Sequence, residues 1–299
     1  MIALFFSVVT SVLVGQTLRL AAHLELDRFP LFTVNYTVAL LLGLSVSREG
    51  FASEPLPAVV LAVFLGVMFV LGFLVFHRAI ALTGTGIAAT VSRLSVIIPI
   101  VVSVLAFSEY LGPAGVSGVL IGVAALPFSG RSLPWRPARR ASAAPAPQAG
   151  DSSKATSASG VLWAIALFLI FGANDTALKL RAELLPGSDA GIFFAFLFGT
   201  AMVISMVLTL VRGERFMLKT LLIGVPLGAA NYGTSHFLAS ALEAIPGYVA
   251  FTLNSVGIIL LSAVAGRIAW REKLRPHNYI FLAAGVVAII LLSGVGARQ

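Results

Sequence analysis

Residues 81–126 read ALTGTGIAATVSRLSVIIPIVVSVLAFSEYLGPAGVSGVLIGVAAL, and residues 244–289 read AIPGYVAFTLNSVGIILLSAVAGRIAWREKLRPHNYIFLAAGVVAI. Shifted by 163 positions, the first stretch lies on the second without a gap, and 11 of 46 positions are identical. Among them are Gly84/Gly247, Ser92/Ser255, Glu109/Glu272, Leu111/Leu274, Pro113/Pro276 and Gly122/Gly285. Apolar composition alone supplies some identities, but not the shared Glu-x-Leu-x-Pro. Each stretch is an apolar run, a turn carrying Glu then Leu, and a Gly-rich apolar run. The chain therefore carries an internal repeat.

The surroundings say what is repeated. The chain has 299 residues, 59% of them apolar and 11% charged, with a mean hydropathy of +1.00. Soluble domains carry about 25% charged residues. This chain has too few polar groups to cover a water-exposed globule of its size, so it reads as an all-α integral membrane protein. A spanning helix takes about 20 apolar residues. Ten such runs fall at about 2–22, 29–46, 57–77, 86–107, 112–129, 160–181, 188–211, 217–241, 245–266 and 275–295. They are continuous rather than alternating, which excludes a β-barrel. The links Phe107–Gly112 and Leu242–Ile245 are short enough to force antiparallel neighbours.

One segment breaks the pattern. Residues 130–159, GRSLPWRPARRASAAPAPQAGDSSKATSAS, are rich in Pro, Ala and Ser with a basic start. Such composition makes a flexible linker. It divides the chain into a first repeat, 1–129, and a second, 160–299. Five spans is an odd number, so the second repeat starts from the opposite face. The expected architecture is ten transmembrane helices as two inverted five-helix repeats. Repeats of this kind place a substrate site near the midplane between the halves and let access alternate.

The formal net charge is +8. In a membrane protein such an excess marks the cytoplasmic loops, so no nucleic-acid partner is expected. Loops after odd-numbered spans carry 14 Lys and Arg against 4 on the other side, which puts both termini outside. No cysteine is present, so disulfides, Cys-ligated metals and thiol nucleophiles are excluded. No Lys or Arg precedes Arg19, so the first run lacks the basic start of a cleavable signal.

The two quoted stretches, with ten spans around them, resemble the drug/metabolite transporter superfamily of the EamA type. The resemblance covers nearly the whole chain and is specific for the superfamily, not for a substrate. It implies a ten-helix carrier of small metabolites, amino acids or drugs in the bacterial inner membrane. It also implies termini in the cytoplasm, opposite to the charge count.

Ionisable groups inside spans are costly and need a reason. Arg93, in ATVSRLSVIIP, lies too deep to snorkel. It either binds a substrate anion through paired hydrogen bonds or pairs with Asp175. Asp175 and Lys179 stand at i, i+4 on one face. They either neutralise each other or leave Asp175 to carry a coupling proton. Asn174, beside it, offers both donor and acceptor. Gln16 in the first span is a further candidate for the cavity, and Gly15 and Gly172 suggest matching close helix approaches. Asn35 either bridges helices or binds substrate. In GVPLGAANYGTSHFLASALE, Gly224 and Gly228 form a small-residue pair for close packing. Tyr232 and His236 share one face, and Asn231 lies on another. His236, with an imidazole that titrates near neutrality, is a second candidate for proton coupling. Asn254 aligns with Val91, two positions from Arg93. His77 is expected at a span end. Glu109 and Glu272 precede Pro113 and Pro276, which suit a first helical turn. The carboxylates are therefore expected to serve those turns and the helix dipole. Gly115, Gly118 and Gly122 form a packing face, within the chain or with a second copy.

No P-loop, HExxH or paired-carboxylate signature is present, and neither a cofactor nor a metal is expected. The expected function is a secondary transporter of small polar metabolites, as monomer or homodimer in the bilayer, coupled to protons or working by exchange. A lipid flippase on the same fold, an intramembrane enzyme and a channel are the alternatives.

Overall fold

The structure, a computed structural model, describes residues 1–47, 50, 54–129, 158–269 and 283–292. Most of the linker, with Glu272 and Pro276, lies outside the described residues. Those described are helical, with short connections and no strand. In chain order the helices are α1 (Ile2–His23), α2 (Arg28–Val46), α3 (Leu56–Thr83), α4 (Thr85–Leu94), α5 (Ile97–Ala106) and α6 (Pro113–Ser129). After the linker come α7 (Ala158–Leu184), α8 (Ala190–Arg212), α9 (Leu218–Ala244), α10 (Gly247–Ala269) and α11 (Ala283–Leu292). Seven stretches are long and apolar enough to cross a membrane: α1, α2, α3, α4–α5 from Ile87, α7, α8 and α10. The described parts of α6 and α11 are shorter apolar helices. The longer α9 carries Asn231, Tyr232, Thr234 and His236 in its middle.

Two expected boundaries move. α3 runs to Thr83, so His77 lies inside a helix rather than at its end. The fourth run, expected as one helix, is two. Pro99 has no N–H to give the carbonyl of Ser95, and its ring crowds that carbonyl. Ser95 O instead accepts from Ile98 N at 3.0 Å, and Arg93 O from Val96 N at 3.3 Å. The hydroxyls of Ser92 and Ser95 add bonds to the carbonyls three residues back, a pattern that bends helices.

Packing is mainly between the first 129 residues and the remainder. α2 lies on α8 and α9, and α1 on α9 and α10. α3 lies on α7 and α8, α4 and α5 on α7, and α5 also on α10. Glycines allow the closest crossings. A Cβ at Gly191 would lie 2.6 Å from the carbonyl oxygen of Gly43, so α2 and α8 meet backbone to backbone. Gly224 and Gly228 face Val34, Asn35 and Val38 of α2. Gly115, Gly118 and Gly122 of α6 lie against Tyr248, Leu292 and Thr252 within the same chain. Gly172 is pressed against Ile98, but Gly15 has nothing within 4 Å of its Cβ position. The two approaches do not match.

Carboxylates mark both ends of the bundle. At one end Glu54, ahead of α3, accepts from Asp189 N at the start of α8 at 2.9 Å. At the other, Glu214, ahead of α9, accepts from Phe29 N at the start of α2 at 3.3 Å. The Arg212 guanidinium lies 4.7 Å from the Phe29 ring centre beside it. This second end also holds the end of α6 and the start of α7, and is called the linker end below.

Candidate functional site

The sequence-expected site residues fall at three interfaces rather than in one cluster. The first is α4–α5 against α7. Arg93 stands in the last turn of α4, just before the break, and its charge interacts with that of Asp175 near the middle of α7. The i, i+4 pairing of Asp175 with Lys179 does not form. Lys179 points toward the far end, where it meets Glu109 at 2.6 Å and Glu183 at 2.5 Å. Asn174 turns toward α3, its Nδ2 lying 3.8 Å from the Cβ position of Gly72. Its Oδ1 is buried without a hydrogen-bond partner among the described residues, as is Thr176 Oγ1. Beside this interface an apolar groove of about 440 Å³ runs between α3, α5 and α7, lined by Leu61, Phe64, Ile98, Leu169, Thr176 and Leu180.

The second interface is a column of rings through α2, α3, α8 and α9. It starts toward the linker end, where His77 meets Phe73 at 5.1 Å. Phe73 meets Phe32 at 4.0 Å, and Phe32 meets Tyr36 at 6.0 Å. Tyr36 stacks with Phe198 at 6.2 Å, and Phe198 meets Tyr232 at 6.4 Å. Tyr232 stacks on His236 at 5.5 Å with 13° between the planes. Phe194 lies edge-on to both. Such offset and edge contacts are the favoured geometries of aromatic pairs. Tyr232 Oη, His236 Nδ1 and His77 Nε2 are buried without hydrogen-bond partners among the described residues. A buried polar group in that state costs free energy, and a ligand supplying the partner recovers it. Asn231, on the adjoining face of α9, donates to Asn35 Oδ1 at 3.3 Å.

The third interface is α1 against α9 and α10. Ser7 donates to Asn254 Oδ1 at 3.1 Å in a buried contact. Thr10, Ser11 and Thr234 extend it as a ladder of hydroxyls. Gln16 is half-buried further along α1.

Glu109 takes a place that sequence spacing misassigns. Its carboxylate serves a helix N-terminus, but of α10 and not of the helix that follows it. Oε1 accepts from Gly247 N at 2.7 Å and Oε2 from Tyr248 N at 3.3 Å. Pro113 is the first residue of α6. The only hint in the sequence is that Glu109 and Gly247 both belong to the 163-residue match. Arg181, buried, bonds Glu243 at 2.9 Å at the same end. Among the described residues no group of three His, Asp or Glu side chains could hold a metal ion.

No family model matches the chain. An uncharacterized protein of Haemophilus influenzae is 22% identical over 301 aligned positions, spanning 97% of this chain and 96% of its own. A protein of known crystal structure superposes with a TM-score of 0.74 at 17% identity, covering 99% of this chain and 97% of that one. At that identity the likeness establishes the fold and leaves the function open.

Proposed function

We propose that the chain is a secondary transporter of small polar metabolites, such as amino acids or organic anions. It would work by alternating access between two inverted five-helix repeats in a bacterial inner membrane. The observation that carries the reading is which helices touch. Count α4 and α5 as one span, and exchange each of the first five spans with its counterpart five places on. The contact of α1 with α9 becomes that of α7 with α3. The contact of α2 with α9 becomes that of α8 with α3, and α1 with α10 becomes α7 with α4–α5. The contact of α2 with α8 maps onto itself. A two-fold axis in the membrane plane would produce this exchange, and transporters built so rock one half against the other around a midplane site.

The charged pair and the broken span support the same reading, because discontinuous helices and intramembrane charges accompany substrate paths. Arg93 is the proposed anion contact, and Asn174, Tyr232, His236, Asn231, Asn254 and Gln16 are the proposed polar contacts. Asp175 and His236 are the candidates for proton coupling. Lys179 and Arg181, two of the four cations on the sparser side, are buried in ion pairs at the far end. This strengthens the linker end as the cytoplasmic one.

The test is ligand-dependent thermal stabilisation of the purified protein across amino acids, carboxylates, sugars, nucleosides and cationic drugs. It is followed by counter-exchange in proteoliposomes. A stabilising compound should exchange, and both effects should vanish in Arg93→Ala. Flux that neither saturates nor exchanges would sink the carrier reading in favour of a channel. The apolar groove between α3, α5 and α7 favours a lipid flippase as the second reading. Stabilisation by lipids alone, with scrambling in vesicles, would select it.

A further inference from the structure

The carboxylate of Glu109 occupies a receptor that other parts of the fold have built. The helix α10 is 23 residues long, and its first N–H groups carry the positive end of the helix dipole. Two of them point at Glu109. Lys179, 1% exposed, places its ammonium 2.6 Å from the same carboxylate. Its other side is held by Glu183 at 2.5 Å, so the ammonium stays anchored without Glu109. Ser103, 0% exposed, has a buried hydroxyl without a hydrogen-bond partner among the described residues. That hydroxyl lies directly against Gly247, where any Cβ would collide with it. The occupant comes from the short α5–α6 turn, whose backbone is tied to the pocket at Glu109 N, donating to Ser103 O at 3.4 Å, and at Tyr110 O, accepting from Tyr248 Oη at 3.2 Å.

We propose that the N-terminus of α10, Lys179 and Ser103 form a carboxylate-binding site that Glu109 fills as an internal ligand. A small carboxylate-bearing solute takes the same place when the α5–α6 turn withdraws. The donors fit this ligand chemistry: two backbone N–H groups and one ammonium meet the carboxylate, and an unpartnered hydroxyl lies beside Gly247. The site lies at the far end of the bundle and does not depend on the role given to Arg93.

Acetate supplied to Glu109→Ala in the full-length protein tests this. At matched ionic strength, acetate rather than chloride should raise the thermal midpoint of Glu109→Ala, with saturation. The wild type, already occupied, should not distinguish the two salts. In Glu109→Ala/Lys179→Gln the acetate dependence should weaken by roughly tenfold or more, the worth of one charge-assisted hydrogen bond. If Glu109→Ala is recovered folded only when acetate is present throughout purification, the proposal stands. Equal responses to acetate and chloride overturn it. So does an undiminished acetate response in the double variant, or failure to recover Glu109→Ala in either salt.

Discussion

The α4–α5 stretch and α10 are related in sequence at a spacing of 163 residues, and each packs against the first helix of the opposite half. Yet they are built differently. α4–α5 is broken at Ser95–Val96 and faces α7 with a charge, Arg93 against Asp175. α10 is continuous from Gly247 to Ala269 and faces α1 with neutral groups, Asn254 and Ser7. The position of Pro99 holds Ser262 in α10, and that of Arg93 holds Val256. Two substitutions thus place the break and the charge on one side of a scaffold whose contacts are otherwise exchanged. If the chain is the carrier proposed above, the moving and binding parts belong on that side and the α1–α10 side is the fixed wall.

The largest effect expected from this contrast is at the charge. Arg93→Met removes the positive charge opposite Asp175, which should lower stability by up to the roughly 3–5 kcal/mol of breaking a buried charge pair. The double variant Arg93→Met/Asp175→Leu should regain most of that stability while transport stays lost. A double variant no more stable than the single one would show that the two groups do not act as a pair. The break comes next. Ser262→Pro should destabilise α10 by about 3 kcal/mol, because it removes the N–H donated to Ile258 and crowds that carbonyl. Pro99→Ala should mend the ladder of α4–α5, raise the unfolding midpoint and slow transport. An unchanged transport rate in Pro99→Ala would deprive the break of any role in the cycle. The smallest effect is on the neutral side. Ser7→Ala should cost about 0.6 kcal/mol, the usual worth of a hydrogen bond between membrane helices. A loss several times larger would make the α1–α10 wall a working part.

The run of helices was legible because continuous apolar stretches of fixed length have one reading in a chain this poor in charge. Individual partners were not. Lys179 and Asp175 share a helical face in any reading of the sequence, but the bundle brings a third carboxylate, Glu109, to the lysine from another half. Glu109 itself looks bound to the turn it ends, and only the fold reveals that α10 starts within its reach. Proline is no better a guide alone. Pro99 parts α4 from α5, whereas Pro226 lies inside an unbroken α9. At Pro99 the freed carbonyl of Ser95 is taken by Ile98 N three residues on, and composition does not encode that. Gly15 and Gly172 look alike in sequence and differ because only Gly172 has a helix crossing it. The pairing of Tyr232 with His236 was legible from i, i+4 spacing, but the rings of α2, α3 and α8 that complete the column were not.

The carboxylate caps Glu54 and Glu214 have a bearing on how the molecule is made. Each closes a helix start that belongs to the opposite half. Synthesis proceeds from the N-terminus, so α1 and α2 are made long before α8, α9 and α10 exist. Until then the start of α2 lacks its cap, because Asp27 makes no side-chain bond to it. The faces of Val34, Asn35 and Gly43 meanwhile lack the α8 and α9 surfaces they pack on. The first half therefore reaches its final packing only once the second has been made.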